Sequence, residues 1–129
     1  MGTTAVGNNI YLFGGYSVSS PFYQNKIQRF DSISETLTTL SKTLSETMIS
    51  IAVASVNENI YLFGGYSGTN KVYLDTIQKF DVVTETLTTL SATLPEALNS
   101  SSGASVNENI YLFGGKTING RLNTIYKFS

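Results

Sequence analysis

Apolar and polar positions alternate along this chain in short bursts, and the bursts recur. In the stretch 51–100 the alternation predicts four strands, since side chains of a strand point to opposite faces at a period of two. Strand a covers Ala52 to Val56, strand b Ile60 to Phe63, strand c Thr76 to Phe80 and strand d Thr86 to Leu90. Asn57-Glu58 predicts a tight hairpin between a and b. Gly64-Gly65 ends strand b and opens a loop to strand c, and Asp81 starts a turn into strand d because its carboxylate bonds amides two residues on. In the connection onward, Pro95-Glu96-Ala97-Leu98 predicts one helical turn with proline leading it.

The same pattern lies on either side. Asn9-Ile10-Tyr11-Leu12-Phe13-Gly14-Gly15 returns as residues 59–65 and again as 109–115, a period of 50 residues both times. Phe30-Asp31 and Glu35-Thr36-Leu37-Thr38-Thr39-Leu40-Ser41 return as Phe80-Asp81 and residues 85–91. About half of the aligned positions in the first two units are identical, without a gap. The units are 1–50, 51–100 and 101–129, and the third lacks its outer strand d.

A four-stranded unit of this length, with Ile-Tyr-Leu-Phe-Gly-Gly in three copies and Phe-Asp closing strand c in two, resembles the kelch repeat. The resemblance covers the whole chain. It departs from the usual pattern at Phe30, Phe80 and Phe128, where kelch units place Tyr, and at Leu37 and Leu87, where they place Trp. The resemblance implies an all-β fold of kelch-type β-propeller blades, each of four antiparallel strands. This chain then supplies about three of them, a half-propeller in a single domain. Propellers close with about four to eight blades. A three-blade fan leaves two apolar faces in water, each on the order of 500 Å2 and worth roughly 12 kcal/mol if buried. The expectation is therefore a homodimer that closes a six-bladed ring. A nine-bladed trimer and a fragment of a longer chain are the alternatives. Lys127 blunts the edge left by the missing strand.

Composition narrows the chemistry. Of the 129 residues 41% are hydrophobic and 13% charged, and the net charge is −1. The eight basic residues are scattered, which speaks against nucleic acid as a partner. There is no cysteine and no histidine, so disulfides, thiolate metal sites, thiol nucleophiles and the commonest general base are all missing. No metal and no cofactor is implied. The first residues carry no secretory pattern, Val6 stands where a myristoylation signal needs Ser or Thr, and no apolar run is long enough to span a bilayer. A membrane partner is not expected, and the cytoplasm is the default compartment. Asn99-Ser100-Ser101 fits the glycosylation triplet at the level of chance in a Ser-rich chain.

The repeated polar residues read as structure. Gly14, Gly15, Gly64, Gly65, Gly114 and Gly115 precede no helix and no Lys-Ser/Thr pair, so they are strand-end glycines rather than a phosphate cradle. Asp31 with Glu35 and Asp81 with Glu85 pair carboxylates, but an Asx turn explains them, and a reaction centre is seldom repeated in every blade. Glu58 and Glu108 read as hairpin residues. No catalytic residue is assigned.

The b–c loops diverge most. They hold Pro21-Phe22-Tyr23, then Lys71-Val72-Tyr73, then Asn119-Gly120-Arg121, and the third is shorter by two residues. Variable loops on a repeated scaffold are where binding specificity resides. The kelch resemblance implies that the b–c and d–a loops share one face, with ligand contacts just after the glycine pair and just before strand a. Those positions are Tyr16, Tyr66, Lys116, Ser50 and Ser100, and Arg121 joins them in the third loop. Three readings follow. The first is a non-catalytic module binding peptide or protein, as kelch domains do in adaptors of ubiquitin ligases. The second is a set of recently amplified or engineered blades without a selected ligand, and the third part of a sugar-processing enzyme. The copper chemistry of galactose oxidase, a kelch enzyme, needs His and Cys, which are absent.

Overall fold

The structure is a computed structural model that describes residues 1–129. Every regular element is a strand, in the order β1 (Gly2–Val6), β2 (Asn9–Phe13), β3 (Lys26–Asp31), β4 (Thr36–Thr43), β5 (Met48–Ile49), β6 (Ala52–Val56), β7 (Asn59–Phe63) and β8 (Tyr66–Ser67). There follow β9 (Val72–Tyr73), β10 (Thr76–Asp81), β11 (Thr86–Thr93), β12 (Ser102–Val106), β13 (Asn109–Phe113), β14 (Lys116–Thr117), β15 (Gly120–Arg121) and β16 (Ile125–Phe128). β1-β2-β3-β4 form a first antiparallel sheet, β6-β7-β10-β11 a second and β12-β13-β16 a third. The strands expected in the second unit are all present, in the expected neighbour order.

Local chemistry sets the corners. Val56 pairs with Asn59, leaving a two-residue loop in which Asn57 takes φ 56, the positive first position of a type II′ turn. Asp31 Oδ1 accepts the amides of Ile33 at 2.9 Å and Ser34 at 3.2 Å, and Asp81 Oδ1 accepts those of Val83 and Thr84 at the same distances. These two turns lean on the a–b hairpins, since Ser32 N–H donates to Asn8 O at 3.0 Å and Val82 N–H to Glu58 O at 3.1 Å.

Three features differ from the sequence expectation. β4 and β11 run on to Thr43 and Thr93, because the Thr-rich stretch continues to suit a pleated surface. Residues 95–98 form no helical turn. The Leu94 amide donates to Asp75 O at 2.8 Å and that of Leu98 to Leu74 O at 3.0 Å, so bonds to the second sheet's own loop outcompete a local turn. The b–c loops are not featureless either. β8 pairs with β9 and with β5 of the preceding d–a segment, β14 pairs with β15, and Asn99 bridges to Lys116.

The core lies between sheets, in two layers built alike. Tyr11, Phe13 and Ile27 of the first sheet meet Ile60, Leu62 and Phe80 of the second, and Phe63 and Ile77 of the second meet Ile110 and Leu112 of the third. Phe80 sits 6.0 Å from Tyr11 and 5.8 Å from Phe13, between ring centroids. Phe128 sits 5.2 Å from Tyr61 and 5.3 Å from Phe63. At the rim of the first layer Arg29 Nη1 lies 3.4 Å from Glu85 Oε2. Burial raises the Tyr11 phenol above its ordinary 10.0, with the Arg29 charge pulling the other way.

A residue is core or surface here according to its neighbouring sheet. Phe13 and Phe63 are 0% and 1% exposed, whereas Phe113, the same residue on the third sheet, is 45% exposed. Ile60 and Ile110 are fully buried, and Ile10 is 39% exposed on the free face of the first sheet.

Gly64 shows what the glycine pairs do. Its φ is +60, its amide donates to Thr76 O at 2.9 Å, and a Cβ there would collide with the carbonyl oxygen of Leu98. Gly7 has the same φ and open space around it. Gly7→Ala should cost about 1–2 kcal/mol, the left-handed penalty alone. Gly64→Ala should cost at least ~1 kcal/mol more, because a backbone carbonyl must move as well. Urea denaturation of both variants checks this, and equal losses would show that close approach is not what glycine provides at that corner.

Candidate interaction face

The d–a segments and the b–c loops share one end of the sheets, and hydrogen bonds hold them there. Gly15 N–H donates to Met48 O and Gly65 N–H to Leu98 O, both at 2.9 Å. Gly68 N–H donates to Thr47 O at 2.9 Å, and the Asn99–Lys116 bridge repeats the link one sheet on. The loops are also braced from within. The buried Ser67 Oγ accepts the Asn70 amide at 2.9 Å, and the buried Thr117 Oγ1 accepts that of Asn119 at 3.1 Å.

Between the second and third sheets this end opens into a cleft of about 790 Å3. Its lining comes from Tyr66, Lys71 and Tyr73 of the second b–c loop, Glu96 and Ala97 of the d–a segment, and Lys116 with Ile118 of the third b–c loop. The lining therefore carries two ammonium groups and one carboxylate. The Asn99 side-chain oxygen, next to this cleft through its pairing with Lys116, is buried without a hydrogen-bond partner.

Of the residues singled out in the sequence, the structure brings Tyr66 and Lys116 together in that cleft. Arg121 stands across from Lys116 as its cross-strand partner in β14–β15. Tyr16 lines a separate hollow of about 240 Å3 beside Gly15 and Gln28. Ser50 and Ser100 sit at neighbouring corners, where the Ser100 amide donates to Ser50 O at 3.0 Å. Their φ values of 58 and 59 are left-handed. Backbone alone favours glycine at such corners, and a hydroxyl-bearing residue sits there instead.

Tyr16 and Tyr66 stand out in the sequence singly, and the structure joins them in an aromatic row. Phe22 stacks on Tyr16 at 6.2 Å, Tyr16 meets Tyr23 at 5.6 Å, Tyr23 meets Tyr66 at 6.1 Å, and Tyr66 meets Tyr73 at 6.0 Å. Five rings thereby run from the first loop into the cleft. The signal was visible as Tyr23 and Tyr73 at a 50-residue spacing inside otherwise divergent loops.

The repeated carboxylates lie elsewhere. Asp31 and Asp81 belong to the c–d turns and Glu58 and Glu108 to the a–b hairpins, and in the first two sheets turn and hairpin bond to each other at the end away from the cleft. No three carboxylates gather into a group able to hold a metal ion.

A family model described as the KLHDC2/KLHL20/DRC7 Kelch-repeats domain matches residues 1–129. This chain belongs to the kelch-repeat family. No curated protein matches it. The kelch assignment accounts for the three sheets as blades and for the glycine pair that ends the second strand of each.

The c–d turn of the first blade offers a pH test. Backbone amides of Ile33 and then Ser34 hold the Asp31 carboxyl below its ordinary range. A folded pKa below the unfolded one means stability that is present above the unfolded value and is lost as pH falls through the folded value. An NMR titration of the side-chain carboxyl carbon should place the Asp31 midpoint below that of an unstructured Asp. The Ile33 and Ser34 amide signals should shift with the same midpoint. An ordinary midpoint would show that the turn does not hold the anion.

Proposed function

We propose that this chain is a non-catalytic kelch-repeat interaction module that binds a peptide or protein through its b–c and d–a segments and closes a six-bladed ring with a second copy of itself. The binding half rests on one observation: the cleft between Tyr66 and Lys116, with the aromatic row leading into it. Tyr rings give large contact area and a hydrogen-bonding tip at small entropy cost. Lys71 and Lys116 favour a segment carrying negative charge, and Glu96 limits how much. Kelch-repeat domains generally serve as protein-interaction modules, which supports the same reading.

An enzymatic reading has less support. The repeated aspartates spend their acceptor capacity on turn amides and lie at the opposite end from the cleft. The assembly half rests on the uncovered faces of the first and third blades, where Ile10 and Phe113 stand exposed in positions that are core elsewhere.

Panning a random peptide library against the chain tests the binding half. Peptides so selected should lose affinity by about tenfold or more in Tyr66→Ala and in Lys116→Ala, the loss typical of an interface anchor. They should keep it in Asp81→Asn, at the other end, as read by fluorescence polarisation. Selected peptides that ignore both cleft variants would contradict binding on this face.

A further inference from the structure

The two contacts between blades inside this chain are copies of one another, and the chain carries the two halves of a third. On the far side of each blade stand a Tyr and a Phe from the second strand, with an Ile from the third beneath them. On the near side of the next blade stands a Phe that enters between the two rings. Phe80 enters between Tyr11 and Phe13, and Phe128 between Tyr61 and Phe63. The third blade repeats the receiving half as Tyr111, Phe113 and Ile125, with Phe113 and Ile125 exposed. The first blade repeats the entering half as Phe30, with Ile10 beside it.

Charge follows the same rule. Arg29 on β3 reaches Glu85 of the next blade. The 29 position recurs as Lys127 on β16, two residues after Ile125, just as Arg29 follows Ile27. Glu85 recurs from Glu35 on the first blade. Lys127 and Glu35 are both exposed, one on each free face.

We propose that the free face of the third blade docks onto the free face of the first blade in a second copy, in the register of the internal contacts. Phe30 of one copy enters between Tyr111 and Phe113 of the other, and Lys127 of one lies beside Glu35 of the other. This rests on the reading that two copies close one ring, and it fixes which residues meet. The occupant is a copy of this chain because each face already has its complement, and that complement is the chain's own opposite face. Pairing like with like fails on the same grounds. First blade against first blade would set two Phe30 rings against each other with no Tyr–Phe pair to receive them, and would bring Glu35 towards Glu35. The contact is head to tail, so two copies make it twice and leave no face open.

Mixing unlabelled and 15N-labelled chains, then treating them with a zero-length carbodiimide, tests this. Native mass spectrometry should show mixed-label pairs, and the digest should contain a Lys127–Glu35 cross-link joining a light to a heavy peptide. Lys127→Glu should weaken self-association by about tenfold, with Glu35→Lys in the same chain restoring it. Ile125→Asp should abolish mixed-label pairs while the β circular dichroism persists. If mixed-label pairs form without that cross-link and ignore Lys127→Glu, the two-copy ring survives but this register is overturned. If a folded chain gives no mixed-label pairs, both are overturned.

Discussion

The constraint on which the rest of the structure depends is the seating of one phenylalanine between a tyrosine and a phenylalanine of the preceding blade. A single four-stranded sheet has two faces and no interior, so its apolar residues are buried only by another sheet. The Tyr11–Phe13–Phe80 and Tyr61–Phe63–Phe128 groups supply that burial twice with nearly the same geometry. Everything else follows from stacking blades at that spacing. The glycine pairs let the chain turn under the carbonyl of the d–a segment that leaves the same blade, and that segment pairs onward with the b–c loop of the next blade through β5–β8 and Asn99–Lys116.

That tie connects packing to function. Because backbone bonds hold Met48, Leu98 and Asn99 against the b–c loops, the variable side chains of those loops project from a braced frame. The cleft between Tyr66 and Lys116 sits where two such loops from adjacent blades face each other. The end carrying Asp31 and Asp81 is occupied with closing turns, and its carboxylates are committed to backbone amides. One end of each blade therefore closes the strands, and the other presents side chains.

Much of this was legible in the residues, and the reason is the repeat. Ile-Tyr-Leu-Phe-Gly-Gly in three copies fixed strand b and its end, and Asp81 marked the c–d turn, because those features depend on local chemistry that a sequence carries openly. The failures were tertiary. Residues 95–98 carry a local helix-start signal, but Leu98 is drawn into the core and its amide bonds Leu74. The short strands β8, β9, β14 and β15 exist because the preceding d–a segment or the loop itself offers an edge, which no window of sequence displays. For the interaction face, Tyr66 and Lys116 were found by their place after the glycine pair. Tyr23 and Tyr73 lie within divergent loops, and only their ring contacts show that they join Tyr16 and Tyr66 in one row.

Blade packing as the source of the core implies that the outermost faces behave as core too once a partner blade arrives. Sedimentation equilibrium of the chain over a wide concentration range tests this most directly. The account predicts a folded species at twice the 14.0 kDa chain mass. A folded species that stays at the mass of one chain at every concentration would contradict it, because the faces bearing Phe113 and Ile10 would then be stable in water without a neighbour.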